Sequence, residues 1–369
     1  MRSPMLFSPG PVMVEDCVRH ALLHYDICHR SFEFESMFRD TQQKILKLFQ
    51  ADDSYYSLII SGSGTSANET CLSSLSQGKD KVLLISNGVF GERLEEILDK
   101  YCIPKVKPHF EWAEVIVIDR IERALKEDPE ITVIAMVFHE TSTGMINPVG
   151  EVGRLARKYD KIFFTDCVSA AGGEFIDVVN NNIDICTGVA GKCVGGFPGS
   201  AYICAKESLL QRVTAEQGNN VYLNLGKHYA IAKKSLQTPN TPNVTLFWAL
   251  NKALERILEA EGLGNRIARY QECSKILRDG LWKIGLKFLI PPERMSNTVT
   301  SVFLPSGVDL KDFMAAMEDD GYIIYAGKGR YEAMGMFQVA NMGQIFPDDC
   351  RKFLEAAKRN IEKLTSVKA

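Results

Sequence analysis

The residues of this 369-residue chain that could do chemistry fall in five short segments. Ser61-Gly62-Ser63-Gly64-Thr65 follows the apolar stretch YSLII and precedes a helical pattern that starts near Ala67. A glycine/serine turn that opens a helix presents unpaired backbone N–H groups and the positive end of the helix dipole, a cradle suited to phosphate. A plain strand-to-helix turn would use the same residues. Phe163-Phe164-Thr165-Asp166 sets a carboxylate at the end of an apolar strand, where it either caps a helix or partners a protonated nitrogen heterocycle. Lys192 stands in the glycine-rich run GVAGKCVGGFPG at 188–199. Most lysines are solvated surface charges, but one whose pKa is lowered by burial or a neighbouring cation can form an imine. The segments HETSTG at 139–144 and NGVFGER at 87–93 follow two further strands. Thr141 adds a hydroxyl there, and Phe90 either stacks on a flat ring or fills the core.

These loops need a scaffold that brings them to one place. Apolar, β-branched runs alternate with helical patterns from about 40 to 210, and strands are expected at Tyr56–Ile60, Lys81–Ile85, Val115–Ile118, Ile131–Phe138, Lys161–Thr165, Ile183–Thr187 and Ser200–Cys204. Continuous apolar strands alternating with helices predict a mainly parallel seven-stranded α/β sheet covered on both faces, and such sheets bind ligands beyond the carboxyl ends of their strands. Lys192 comes 26 residues after Asp166 (192 − 166), about one strand-helix-strand step, so both should emerge on one edge. Residues 207–243 are polar and irregular, and the last hundred read as a smaller α+β unit. Its expected strands are Val299–Leu304, Tyr322–Tyr325 and Met336–Ala340, with helices at Leu310–Asp319 and Pro347–Leu364. The expected division is a large domain at 15–250 and a small domain built from 1–14 and 251–369.

Composition narrows the partners. With 46% hydrophobic and 24% charged residues the usage is that of a soluble globular protein. A net charge of −3 gives no general attraction to nucleic acid or an anionic membrane. No apolar run reaches the roughly 18 residues of a membrane helix, and the N-terminal stretch, interrupted by Pro9-Gly10-Pro11, reads as no signal peptide. The ten cysteines show no CxxC spacing, so no metal site is expected, and reduced, buried thiols in a cytoplasmic protein are the reading.

The loops resemble those of fold-type I, class V aminotransferases that use pyridoxal 5′-phosphate (PLP), in particular the 2-aminoethylphosphonate–pyruvate transaminases. The resemblance spans nearly the whole chain: FSPGP at 7–11, SGSGT at 61–65, SNGVFGER at 86–93, HETSTGMINP at 139–148, TDCVSAAGG at 165–173, GKCVGGFPG at 191–199 and IIYAGK at 323–328. It implies that Lys192 carries the cofactor as a Schiff base and moves the proton. Asp166 would hold the pyridine nitrogen, Val168 and Phe90 would cover the two ring faces, and Ser63, Gly64 and Thr65 would hold the phosphate. Thr141 would lie near the ring hydroxyl or the Schiff base. Thr238, in LQTPNT, would reach the phosphate of a neighbouring subunit, implying a homodimer with shared active sites.

Two positions differ from the family pattern. Gly191 replaces the usual Asn or Gln before the lysine. The small-domain strand, usually F-R-I-G, reads Met336-Phe337-Gln338-Val339-Ala340, and Gln338 cannot make the bidentate clamp of an arginine on an acid group. Arg330 and Arg30 are the candidate replacements, so Gln338, Arg330 and Arg30 form the expected substrate-binding set. The function this implies is transfer of an amino group from a small primary amine such as 2-aminoethylphosphonate to a keto acid such as pyruvate. Gln338 keeps open a PLP-dependent lyase or decarboxylase, or a transaminase of the alanine– or serine–glyoxylate type. A silenced scaffold is disfavoured by the intact Lys192 and Asp166, and a nicotinamide-binding enzyme by the lack of GxGxxG after a strand.

Overall fold

The computed structural model describes residues 4–75, 80–217 and 219–366. Its main sheet has seven strands, which we number in chain order: β1 (Tyr55–Gly62), β2 (Lys81–Ile85), β3 (Lys105–Val106), β4 (Ile131–Val137), β5 (Ile162–Asp166), β6 (Ile185–Val189) and β7 (Gly199–Lys206). Their order across the sheet is β1-β7-β6-β5-β4-β2-β3. Strand β7 is antiparallel to both neighbours and the other pairs are parallel. Every strand except β7 therefore points the same way, and the segments after β1, β2, β4, β5 and β6 open on one edge. The strands read as unbroken apolar runs because helices cover both faces, as a buried parallel sheet requires.

One expected strand is not there. Val115–Ile118 leads instead into the helix Ile118–Glu127, with Val117 as its N-cap residue and 41% exposed. The seventh strand is β3, a two-residue edge strand beside β2. It carries no apolar signal because its lysines face carboxylates on the preceding helix: Lys105 pairs with Asp99 and Glu95, and Lys107 with Glu95. A charged, short edge strand is also what discourages pairing with a further chain.

Helix α1 (Phe32–Leu48) precedes the sheet, and α2 (Gly64–Leu75) and α3 (Val89–Lys100), which carry site residues, start just beyond β1 and β2. Beyond the sheet come α4 (Val244–Glu255), α5 (Leu263–Lys283), α6 (Leu310–Asp319) and α7 (Pro347–Ser366). Side-chain caps from Ser31, Asn243 and Asp309 satisfy the first free N–H groups of α1, α4 and α6.

The second sheet has four strands: β8 (Lys287–Phe288), β9 (Val299–Phe303), β10 (Tyr325–Ala326) and β11 (Met336–Ala340), in the antiparallel order β8-β9-β11-β10. The expected single strand Tyr322–Tyr325 is divided. Tyr322–Ile323 pairs in parallel with Met5–Leu6, whereas Tyr325–Ala326 pairs with β11. Ile324, 3% exposed, is the switch between them. This division fastens the N-terminal arm to the smaller unit and delivers Ser8–Pro11 to the sheet edge.

Two separate hydrophobic cores result. One draws on residues between Val14 and Ile257, the other on Phe7 and residues between Cys273 and Ile361. A third, small cluster of Val12, Cys193, Tyr270, Val299, Ala340 and Met342 draws on the lysine-bearing turn through Cys193 and on the second sheet through Val299 and Ala340.

Packing against the helix Val149–Lys158 is close enough to test. A Cβ at Gly153 would lie 1.8 Å from the Asn181 carbonyl oxygen, whereas one at Gly264, in α5, would meet nothing within 4 Å. Gly153→Ala is expected to cost at least about 1–3 kcal/mol, and Gly264→Ala to be neutral or stabilising by up to about 1 kcal/mol. Urea denaturation midpoints of the two variants check this; equal midpoints would contradict the packing described.

Candidate active site

Lys192 lies in the turn between β6 and β7. Its Nζ donates to the Pro9 carbonyl of the N-terminal arm. The arm comes this near because residue 10 is glycine. Gly10 has φ +132°, and a Cβ there would sit 2.7 Å from Lys192 Nζ. Tyr325 on β10 holds the arm from the other side, its hydroxyl donating to Gly10 O at 2.8 Å. Burial lowers the Lys192 pKa below the ordinary lysine value, and Arg93 and Lys328 push the same way against Cys193 and Asp166. The amine is thereby moved toward its neutral, nucleophilic form.

Asp166 ends β5, beside Thr187 of β6. It is 4% exposed. Asn68 Nδ2 donates to Oδ2 at 2.6 Å and the Val168 N–H to Oδ1 at 2.8 Å. Thr187 Oγ1 in turn donates to Asn68 Oδ1 at 2.6 Å, which fixes the orientation of the Asn68 amide. Burial raises the Asp166 pKa, and the Val168 and Asn68 hydrogen bonds, with the charges of Arg93 and Lys192, oppose that rise.

Ser63, Gly64 and Thr65 form the start of α2, with the first N–H groups of the helix beyond β1. A Cβ at Gly64 would lie 2.6 Å from Val168, so this turn rests directly on the residue that follows Asp166 by two. Phe90 opens α3. That helix has no cap of its own at Gly88, and the buried Glu140 carboxylate supplies one from across the edge, accepting from the N–H groups of Phe90 (3.2 Å) and Gly91 (3.0 Å). Burial raises the Glu140 pKa, opposed by these bonds and those from Ser142. Gly88 leaves room for this: a Cβ there would meet Glu140 Cδ at 2.5 Å.

A cleft of about 450 Å³ joins these parts. Ser63, Gly64, Thr65, Phe90, Thr141, Asp166, Val168, Lys192 and Gln338 all border it. Gln338 comes from β11 and is tied down, its Nε2 lying 2.7 Å from Thr141 O, 3.2 Å from Ser142 O and 2.9 Å from Ser301 Oγ. Three expected residues do not border the cleft. Arg330 is 56% exposed at its side chain and faces Glu111, with Nη1 3.4 Å from the carboxylate. Arg30 donates from Nη1 to Gln237 Oε1 (2.7 Å) and Thr238 O (3.0 Å). Thr238 turns its hydroxyl to Asn240 O at 2.8 Å. The two arginines offered as acid-group partners are thus held by other groups within this chain.

Four cleft residues were not singled out from the sequence. Arg93 sits three residues beyond Phe90, on the same face of α3, with its guanidinium 5.0 Å from the Phe90 ring centroid and Nη1 3.5 Å from Thr65 Oγ1. Asn68 stands one helical turn beyond Gly64. Both follow from helical spacing once the helix starts are known. Tyr325 and Lys328 lie in IIYAGK, a segment of the resemblance, but nothing local assigns either side chain to the cleft until the strand β10 is placed.

The family described as aminotransferase class V matches residues 12–345. The chain belongs to the class V aminotransferases. It is similar to an uncharacterized aminotransferase of Methanocaldococcus jannaschii, with 32% identity over 340 residues, 92% of this chain and 88% of that protein. It is also similar to a 2-aminoethylphosphonate–pyruvate transaminase of Salmonella paratyphi C, with 31% identity over 97% of each chain. Its fold matches the crystal structure of an alanine–glyoxylate aminotransferase from Nostoc sp. with a TM-score of 0.88, at 26% identity over 98% of this chain and 96% of that one.

This class V aminotransferase is a PLP enzyme of fold type I. Its cleft suits that cofactor chemically. A desolvated amine with a lowered pKa matches an aldehyde, a buried carboxylate matches a pyridinium nitrogen, and a helix start with Arg93 beside it matches a phosphate. Among the described residues no helix is long and apolar enough to cross a membrane.

The remote cap gives a test of the architecture. Glu140→Ala would leave the buried N–H groups of Phe90, Gly91 and Ser142 without their acceptor, an expected loss of at least about 2 kcal/mol. Thermal denaturation should show a clearly lower midpoint, with Glu140→Gln less affected; an unchanged midpoint for Glu140→Ala would contradict the capping role.

Proposed function

We propose that this aminotransferase moves an amino group from a small, acid-bearing primary amine to a keto acid, with 2-aminoethylphosphonate and pyruvate as the pair to test first. The observation that carries this reading is the meeting of Lys192 and Asp166 in one cleft, at the ends of adjacent parallel strands. The choice of substrates is supported by the name of the Salmonella relative, which this chain matches over 97% of its length.

PLP supplies an aldehyde that takes up the amino group and a protonated pyridine ring that accepts the electron pair left at the substrate Cα. Lys192 Nζ is proposed to carry the cofactor covalently as a Schiff base. Freed by the incoming substrate amine, Lys192 Nζ would be the base that takes the proton from the amine-bearing carbon of the substrate, and its conjugate acid would give that proton back. Its lowered pKa favours the unprotonated form that this needs. Asp166 would hold the proton on the pyridine nitrogen, and Asn68 with the Val168 N–H keeps that carboxylate in place. Phe90 and Val168 would bound the two faces of the ring. The N–H groups from Ser63 to Thr65, with Arg93, would bind the phosphate. Thr141, its hydroxyl 2.9 Å from Ser169 Oγ, would serve the ring hydroxyl or the Schiff base.

Thr238 is proposed to serve the phosphate of a second subunit, so that the working form is a homodimer with shared sites. Its position outside this chain's own cleft supports that assignment, as does its link to Arg30. The division into a large domain at 15–250 and a small one at 1–14 and 251–369 is likewise our reading, supported by the two separate cores. The ten free cysteines support a reducing, cytoplasmic setting.

The protein, loaded with PLP and given 2-aminoethylphosphonate and pyruvate, is expected to form alanine. Lys192→Ala should lower that rate by roughly 10²–10⁴-fold or more, the usual contribution of a positioned acid–base group. A rate equal to wild type would contradict the assignment of Lys192, and no transfer by wild type from a panel of acid-bearing amines would contradict the proposed function.

A further inference from the structure

Gln338 has no donor left for a ligand. A primary amide carries two N–H bonds, and three acceptors already lie against Nε2: Thr141 O, Ser142 O and Ser301 Oγ. What remains is the amide oxygen, which repels a carboxylate or phosphonate. In this geometry Gln338 fastens the Thr141–Ser142 segment to the small sheet. A cation for an acid group must come from another position.

The small sheet offers one at the cleft. Tyr325 of β10 is the direct cross-strand neighbour of Gln338. The Gly327 N–H donates to Met336 O at 2.7 Å, and the chain then leaves the sheet with Lys328 bordering the cleft. Lys328 is exposed, and among the described residues no carboxylate lies within ion-pair distance of its ammonium. The Tyr325 ring centroid lies 5.8 Å from its Nζ. Arg93, the other cation beside the Lys192 amine, is engaged by the Phe90 ring and Thr65 beside the proposed phosphate cradle. Arg330, two residues beyond Lys328, faces Glu111.

Resting on the transaminase reading above, we infer that Lys328 anchors the acid group of the substrate, a role that Gln338 cannot fill. The substrate class is then amines and keto acids that bear a compact anion. An ammonium acts as a point charge and imposes no bidentate geometry, so affinity should follow ligand charge. A phosphonate dianion should bind more tightly than a carboxylate of similar size.

The test uses the PLP-loaded enzyme and two probes, methylphosphonate and acetate, titrated while the visible absorbance of the cofactor is followed. Wild type should bind methylphosphonate more tightly than acetate. Lys328→Ala should weaken methylphosphonate binding by about ten- to a hundredfold, the worth of one charge-assisted contact, and Lys328→Arg should restore most of it. Arg330→Ala, which removes the same charge nearby, should leave it unchanged. In turnover, Lys328→Ala should raise KM for 2-aminoethylphosphonate while KM for propylamine, which has no acid group, stays as in wild type. Methylphosphonate binding to Lys328→Ala as tight as to wild type would overturn the inference, as would an equal loss in Arg330→Ala. If wild type transfers no amino group from any acid-bearing amine, yet its methylphosphonate binding still depends on Lys328, the anion anchor stands and the transaminase substrate reading falls.

Discussion

Asp166 is a carboxylate enclosed at the end of a parallel strand, and the site is arranged around the cost of enclosing it. A desolvated carboxylate is driven toward its neutral acid unless hydrogen bonds and positive charges hold it ionised. Asn68 and the Val168 N–H each take one oxygen, and Thr187 fixes the Asn68 amide. The remaining stabilisation comes from Arg93 and Lys192. On Lys192, burial lowers the pKa, Arg93 and Lys328 lower it further, and Cys193 and Asp166 oppose them. Burial thus pushes both groups toward their neutral forms, and Asn68, the Val168 N–H and the nearby cations restrain that shift at Asp166.

The parallel sheet makes this arrangement possible. Six of its seven strands share a direction, so segments far apart in sequence reach one edge. Close approach then depends on particular glycines: Gly10 beneath Lys192, Gly64 against Val168 and Gly88 against Glu140. The smaller sheet closes the cleft through two contacts, Tyr325 to the N-terminal arm and Gln338 to the Thr141–Ser142 segment. Both come from one cross-strand pair. Any movement of the small sheet would therefore act on the arm over Lys192 and on the Thr141 segment together.

The strands that carry site residues were legible because they are long, apolar and β-branched, and the ends of β1, β2, β4, β5 and β6 coincide with the polar and glycine-rich motifs. The edge strand β3 was not, since a single valine between two ion-paired lysines has no apolar pattern. Val115–Ile118 misled for the opposite reason, as an apolar run that feeds a helix start. Ser63, Phe90, Asp166 and Lys192 could be picked out because their motifs are local. The Asn68–Asp166 bond and the reach of Glu140 to α3 are contacts between elements, and no local spacing records them. Arg330 and Arg30 were chosen for their charge, and only the fold shows that Glu111 faces one and Gln237 with Thr238 holds the other. Lys328 was hidden by the divided strand before it.

The central claim is that the amine at position 192 is the attachment point of the cofactor. The most direct measurement is borohydride reduction of the PLP-loaded protein, followed by peptide mapping by mass spectrometry. The account predicts a reduced pyridoxyl phosphate adduct on the peptide containing Lys192 and on no other lysine peptide at stoichiometric yield. An adduct on Lys328 or a surface lysine, with Lys192 unmodified, would contradict it.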